Sequence, residues 1–159
     1  MNVLITGGAG YIGSVLAHHL LAQGHSITVL DRLLYGGEGL TGLLPHPRFL
    51  FVRADIRDTE TLERHCYDKD AVVHLAALVG DQACDGHPGE AQSVNVDGTA
   101  AVVDVAGRTD ARLLFASTAS CYGQNRDGEY ASEDSPLNPL TLYARTKLEA
   151  ETFILGAGG

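Results

Sequence analysis

The opening run "NVLITGGAGYIGSVLAHHLLAQG" limits what this chain can become more than any other stretch. "NVLITG" is a short β-rich run ending in glycine, the pattern of a first strand. "IGSVLAHHLLAQG" puts Ile12, Leu16 and Leu20 roughly on one face and stops at Gly24, the pattern of a helix. Gly7, Gly10 and Gly13 lie at the junction. A chain that must turn sharply out of a strand, approach a pyrophosphate without side-chain obstruction and present helix N-terminal amides to negative charge needs glycine at such positions. A glycine-rich turn that binds nothing is the plain alternative, but the strand before and the helix after give the motif its required context.

The rest of the chain repeats the alternation. "SITVLD", "RFLFVRAD", "DAVVHLAA" and "ARLLFAS" read as strands two to five. "DTETLERHC" reads as a short helix capped by Asp58 or Thr59, Glu90 to Gly107 as a longer one, and a last helix starts near Leu140 and fades at "GAGG". "RLLYGGEGLTGLLPHP", "LVGDQACDGHPG" and "TASCYGQNRDGEYASEDSPLNP" read as loops. Strands that are continuous apolar runs and alternate with helices specify a parallel sheet covered on both faces. The expected fold is therefore α/β, a doubly wound parallel sheet of order 3-2-1-4-5. With 159 residues, no internal repeat and no linker, it is read as one domain, 1–159.

Asp31 ends the second strand, 18 residues after Gly13. A carboxylate there can accept from an adenosine ribose and would repel a 2′-phosphate, which favours NAD over NADP. Arg32 follows at once and could offset that repulsion. The net charge of −9 argues against nucleic acid or an anionic membrane as main partner. Cys66, Cys84 and Cys121 are widely spaced and odd in number, with no metal signature, which suits a reducing compartment. With no basic leader ahead of the first strand, the expected location is the cytoplasm.

"LYARTK" sets Tyr143 and Lys147 four residues apart, on one helix face. This fits an ordinary amphipathic helix, and equally a proton-handling pair. A free phenol, with a pKa near 10, is a poor base at neutral pH. A nearby ammonium and a cationic nicotinamide ring would both favour tyrosinate. Lysine here, in a chain with nine arginines and two lysines, suggests that a compact ammonium is wanted.

"TGGAGYIG", Asp31, "ADIRD", "HLAA", "VNVDGT", "STASCYG" and "YARTK" stand in the order found in the extended short-chain dehydrogenase/reductases. The chain most resembles their nucleotide-sugar epimerase and dehydratase branch, typified by UDP-galactose 4-epimerase. The resemblance implies a Rossmann-type domain that binds NAD, a UDP- or dTDP-linked sugar as substrate, and a homodimer. It puts Tyr11 and Ile12 along the pyrophosphate with the three glycines, Asp55 and Ile56 at adenine, and Leu75, Ala76 and Ala77 beneath the cofactor. Asn95 would order the nicotinamide side, and Ser117 would touch the cofactor. Thr118, Tyr143 and Lys147 would be catalytic, the last two also holding the nicotinamide ribose. Dehydratases of the family carry Asp-Glu after the threonine; here Ala119 and Ser120 stand there, which favours reversible oxidation as in a 4-epimerase. A non-catalytic dinucleotide-binding module, and an NAD(P)-dependent reductase or dehydratase of the same family, remain as alternatives.

His18, His19 and His65 read as surface or packing residues, and His74 as a satisfied core histidine. Asp81, Asp85 and His87 read as a solvated loop rather than a metal cluster, and Cys84 as lying near the substrate. The family pattern continues with a further strand and a region that closes over the sugar. The expectation is therefore of a C-terminally truncated enzyme whose fifth strand has an open edge.

Overall fold

The computed structural model describes residues 1–124 and 130–157. Asn125–Glu129, part of the loop expected after strand five, and Gly158–Gly159, where the last helix is expected to fade, lie outside the described residues. The sheet has five strands, β1 (Asn2–Thr6), β2 (Ser26–Asp31), β3 (Phe49–Arg53), β4 (Ala71–His74) and β5 (Arg112–Phe115), in the order β3-β2-β1-β4-β5. Every pairing is parallel. This is the topology that the alternating pattern predicts.

Alternation along the strands sends neighbours to opposite faces. Val3, Ile5, Ile27 and Val29 meet Ala17 and Leu21 of helix α1 (Tyr11–Ala22), together with Leu40 and Leu43. Leu4, Leu30 and Val72 point the other way, onto Leu62 and Cys66 of α2 (Thr59–Cys66) and onto Val102, Val105 and Ala106 of α5 (Thr99–Arg108). Each fully buried valine, leucine or isoleucine among them contributes about 1.5–3 kcal/mol relative to exposure. Asp58 is the cap of α2, its carboxylate accepting from the Thr61 amide at 3.1 Å.

All three segments read as loops hold helical turns. Glu38–Leu43 is a 3-10 turn that buries Leu40 and Leu43; leucines three apart match its three-residue period, a signal that glycine and proline content hides. Asp81–Gly86 forms α3, which buries Cys84. The helix expected over Glu90–Gly107 starts earlier, with Pro88 in the first turn of α4 (Pro88–Gln92), a position where the missing amide costs nothing. It then widens into a π-helical turn, Ser93–Gly98, before α5. A further 3-10 turn, Ala119–Tyr122, follows β5, and α6 spans Leu142–Ala157.

Strands four and five are shorter than their apolar runs. β4 stops at His74 and β5 at Phe115, so Leu75–Ala77 and Ala116–Ser117 leave the sheet at its carboxyl edge. β5 pairs only with β4 among the described residues. No helix among them is long and apolar enough to cross a membrane, and none of their acidic, histidine and cysteine side chains group as a metal site, Asp81, Asp85 and His87 included.

Candidate active site

A cavity of about 440 Å³ opens at the carboxyl ends of the strands, where β1 meets β4 and the chain's winding direction reverses. Its walls include Gly7, Gly10, Tyr11, Ile12, Gly13, Asp31, Arg32, Asp55, Ile56, Leu75, Ala76, Ala77, Ser117, Tyr143 and Lys147. Residues from six separate stretches of sequence thus converge on one space.

The three glycines have different roles. Gly7 has φ +69°, and a Cβ on it would sit 2.5 Å from the Ala76 amide nitrogen, so the turn needs both the left-handed backbone and the close approach. A Cβ on Gly13 would meet Gly8 Cα at 2.5 Å, which is how α1 packs against the loop. At Gly10 an added Cβ would meet only the Gly7 carbonyl, at 3.3 Å, and otherwise face open space. The amides of Tyr11, Ile12 and Gly13, in the first turn of α1, have no acceptor among the described residues. Free amides at the positive end of a helix, beside a glycine open to the cavity, suit a phosphate.

Asp31 does more than its position suggests. One carboxylate oxygen accepts from the Ala9 amide at 3.0 Å and the other from the Leu33 amide at 2.7 Å. It therefore ties the glycine loop to the end of β2 while still facing the cavity. Arg32 is engaged elsewhere: it donates to Glu90 at 2.7 Å and lies 3.5 Å from Asp55. The offset to a 2′-phosphate that Arg32 could give is thereby weakened. Arg57 grips Asp55 through Nε at 2.8 Å and a terminal nitrogen at 2.6 Å, and holds its carboxyl down at about 2 against the opposing effect of burial.

At the far end of the cavity stand Tyr143 and Lys147, on the first turns of α6. Burial pushes the Tyr143 phenol above its usual range and Cys84 adds to the push, while the nearby Thr118 hydroxyl opposes it. Lys147 is only 3% exposed, its Nζ 3.8 Å from the centre of the Phe115 ring. Burial lowers its pKa to about 8, with Cys121 and Glu151 opposing. Thr118 does not line the cavity itself; its hydroxyl donates to that of Ser120 at 3.2 Å.

Asn95 does not line the cavity. It is buried in the π-helical turn behind the cavity wall, where its amide exchanges two hydrogen bonds with the Leu78 backbone, at 2.7 and 3.0 Å. It also donates to the Thr146 hydroxyl at 3.1 Å, and that hydroxyl donates to the Tyr143 carbonyl at 2.9 Å. Asn95 thus ties the loop after β4 to the helix that carries Tyr143. Cys84, expected near the substrate, is buried in the same network, with its thiol donating to the Leu78 carbonyl at 3.3 Å.

Leu34, Tyr35 and Val79 line the cavity without having been anticipated. Exposed apolar residues directly after Asp31 and after "HLAA" are the signal that could have found them. Glu151 also went unanticipated: it accepts from the Ser117 hydroxyl, and it stands one helical turn beyond Lys147.

The match to the family described as NAD dependent epimerase/dehydratase covers residues 3–158. The chain belongs to that family. Among its members, the low-salt glycan biosynthesis protein Agl12 of Haloferax volcanii is 40% identical over 158 residues, 97% of this chain and 51% of that protein. The dTDP-glucose 4,6-dehydratase of Streptomyces antibioticus is 36% identical over 98% of this chain and 48% of its own length. The UDP-glucose 4-epimerase of Mycolicibacterium smegmatis is 35% identical over 97% and 50%. The crystal structure of Thermus thermophilus UDP-glucose 4-epimerase in complex with NAD superposes with a TM-score of 0.91 at 34% identity, covering 99% of this chain and 51% of that one. The chain thus spans about half the length of the curated relatives it matches.

Proposed function

We propose that this chain carries the cofactor-binding and proton-transfer part of an NAD-dependent nucleotide-sugar 4-epimerase. The observation that carries the reading is the sharing of one cavity by the glycine loop, Asp31, Tyr143 and Lys147. The residues suit NAD: free amides for the pyrophosphate, Asp31 for the adenosine ribose, and a buried ammonium for the nicotinamide ribose. Bound NAD would supply the hydride acceptor and a positive ring charge.

The chain's own groups would then do the rest. The ring charge would bring the raised Tyr143 phenol down, and its oxygen would take the proton of the sugar's C4 hydroxyl. Thr118 would hydrogen-bond that same oxygen and fix its direction. Lys147 would hold the ribose and keep positive charge beside the phenolate. For the return step Tyr143 would give the proton back after the keto-sugar has turned over. Ala119 and Ser120, in the 3-10 turn after Thr118, offer neither a strong acid nor a strong base, which supports reversible oxidation over elimination. Dehydratases stand among the relatives beside epimerases, so the preference rests on this local chemistry.

The test is a turnover assay with NAD and UDP- and dTDP-hexoses, products resolved by chromatography. Epimer formation that falls at least a hundredfold in Tyr143→Phe is expected, the scale of one acid–base group. A 4-keto-6-deoxy product would overturn the epimerase assignment, and unchanged turnover in Tyr143→Phe the role of Tyr143. A second reading is a dinucleotide-binding module without turnover, since Thr118 lies off the cavity wall; NAD binding with no conversion would select it. We further read the protein as a cytoplasmic homodimer, supported by three unpaired cysteines and by exposed Leu114 on β5 and Phe153 and Leu155 on α6.

A further inference from the structure

A buried ammonium needs a partner, and Lys147 has an unusual one. Among the described residues its Nζ has no hydrogen-bond acceptor and no carboxylate at ion-pair distance; the contact the structure gives it is the Phe115 ring, 3.8 Å away. Phe115 is the last residue of β5, and behind it lies His74, ring centroids 5.6 Å apart and tilted by 33°. His74 is fully buried. Its Nε2 lies 2.9 Å from the Thr99 hydroxyl, whose own proton goes to the Asn95 carbonyl at 2.7 Å. Thr99 must therefore accept from Nε2–H, which leaves Nδ1 bare to accept from the Thr6 hydroxyl at 2.6 Å. The imidazole is thus locked neutral in one tautomer, and it backs the Phe115 ring without a second positive charge competing for it.

We propose that Phe115 is a positioning residue of this site: its ring, beside neutral His74, is the seat that fixes the Lys147 ammonium at the cavity wall and favours its charged form. A cation over an aromatic face is held electrostatically, and more strongly once desolvated. The other titratable groups around Lys147 are Cys121 on the 3-10 turn after β5, and Tyr143 and Glu151 one turn to either side on α6. None of them is hydrogen-bonded to Nζ, so the seat is aromatic. The functional meaning rests on the reading of Lys147 as a ribose-holding residue; the geometry does not.

The chain has two lysines, Lys69 and Lys147, so lysine labelled with carbon-13 at Cε gives two NMR signals, assigned with Lys69→Arg. In the cofactor-free full chain the Lys147 ε-protons should lie upfield of free lysine, shifted by the ring, and titrate near 8. Phe115→Leu should abolish the upfield displacement and lower the midpoint by about one unit, while Phe115→Tyr should keep both. A purely structural role would lower the unfolding temperature of Phe115→Leu and leave the Lys147 shift and titration in place, which overturns the proposal. An undisplaced Lys147 signal in the wild-type protein overturns it without any variant, so it stays testable even if Phe115→Leu does not fold. Because no dinucleotide is present, this result is independent of whether NAD binds.

Discussion

Gly7 and Gly10 belong to one motif, yet substitutions at them should have opposite outcomes. Alanine at Gly7 would have to adopt φ +69° with its Cβ 2.5 Å from the Ala76 nitrogen, a backbone atom that cannot move aside cheaply. The left-handed conformation costs about 1–2 kcal/mol and overpacking about 1–3 kcal/mol more. Gly7→Ala should therefore destabilise the fold by about 2–5 kcal/mol, read as a lower urea midpoint at unchanged slope. Gly10 has φ −71° and ψ 178°, an extended backbone open to any residue, and its side chain would project into the cavity. The motif shows that these positions are glycine; only the packing around them separates the structural glycine from the one that leaves room for a ligand. Asp31 carries the same lesson, since its bonds to the Ala9 and Leu33 amides arise from the turn and have no signature in spacing.

At the scale of elements, the apolar runs specify the strands and their order, because a fully covered parallel strand reads as an unbroken run. They do not specify where strands end, since Leu75–Ala77 and Ala116 are as apolar as the strands they follow, and those overruns are the walls of the site. The π-helical turn is hidden for a similar reason: "SVNVDG" has ordinary helical composition, and the turn becomes evident only when Asn95 reaches Leu78 and Thr146. His74 joins β1, β4 and α5 through Thr6 and Thr99, so its titration is a property of that joint. Burial holds its pKa down at about 3, with Lys147 adding to the effect. Unfolded, the imidazole titrates near 6.5. As pH falls from about 6.5 towards 3 the unfolded chain takes a proton that the native one refuses, and stability drops by up to about 1.4 kcal/mol per unit. Urea unfolding at pH 7 and pH 4.5 should show this loss, and His74→Gln should flatten it while lowering stability at both. An equal pH dependence in that variant would move the titrating group elsewhere.

Over the whole molecule, a net charge of −9 should repel a dinucleotide that is itself anionic. Any binding must therefore come from the local arrangement at the carboxyl edge of the sheet, the free amides of α1 and the seated Lys147, with Arg32 and Arg57 largely neutralised by Asp55 and Glu90. Such binding joins elements from both halves of the sheet and so should stabilise the fold as a unit. A ligand at about a hundred times its Kd adds about 2.7 kcal/mol, which for a chain of this size corresponds to a rise in Tm of roughly 5–10 °C. NAD should produce that rise in a calorimetric scan, and NADP a smaller one, because the Asp31 carboxylate lines the cavity and would repel a 2′-phosphate while Arg32 is held by Glu90. Gly10→Val is the deciding control. It should melt within a few degrees of the parent alone, since its backbone is unstrained, and fail to respond to NAD, since its side chain fills the phosphate position. A variant that melts normally and still gains the full NAD shift would place the pyrophosphate somewhere other than the turn between β1 and α1.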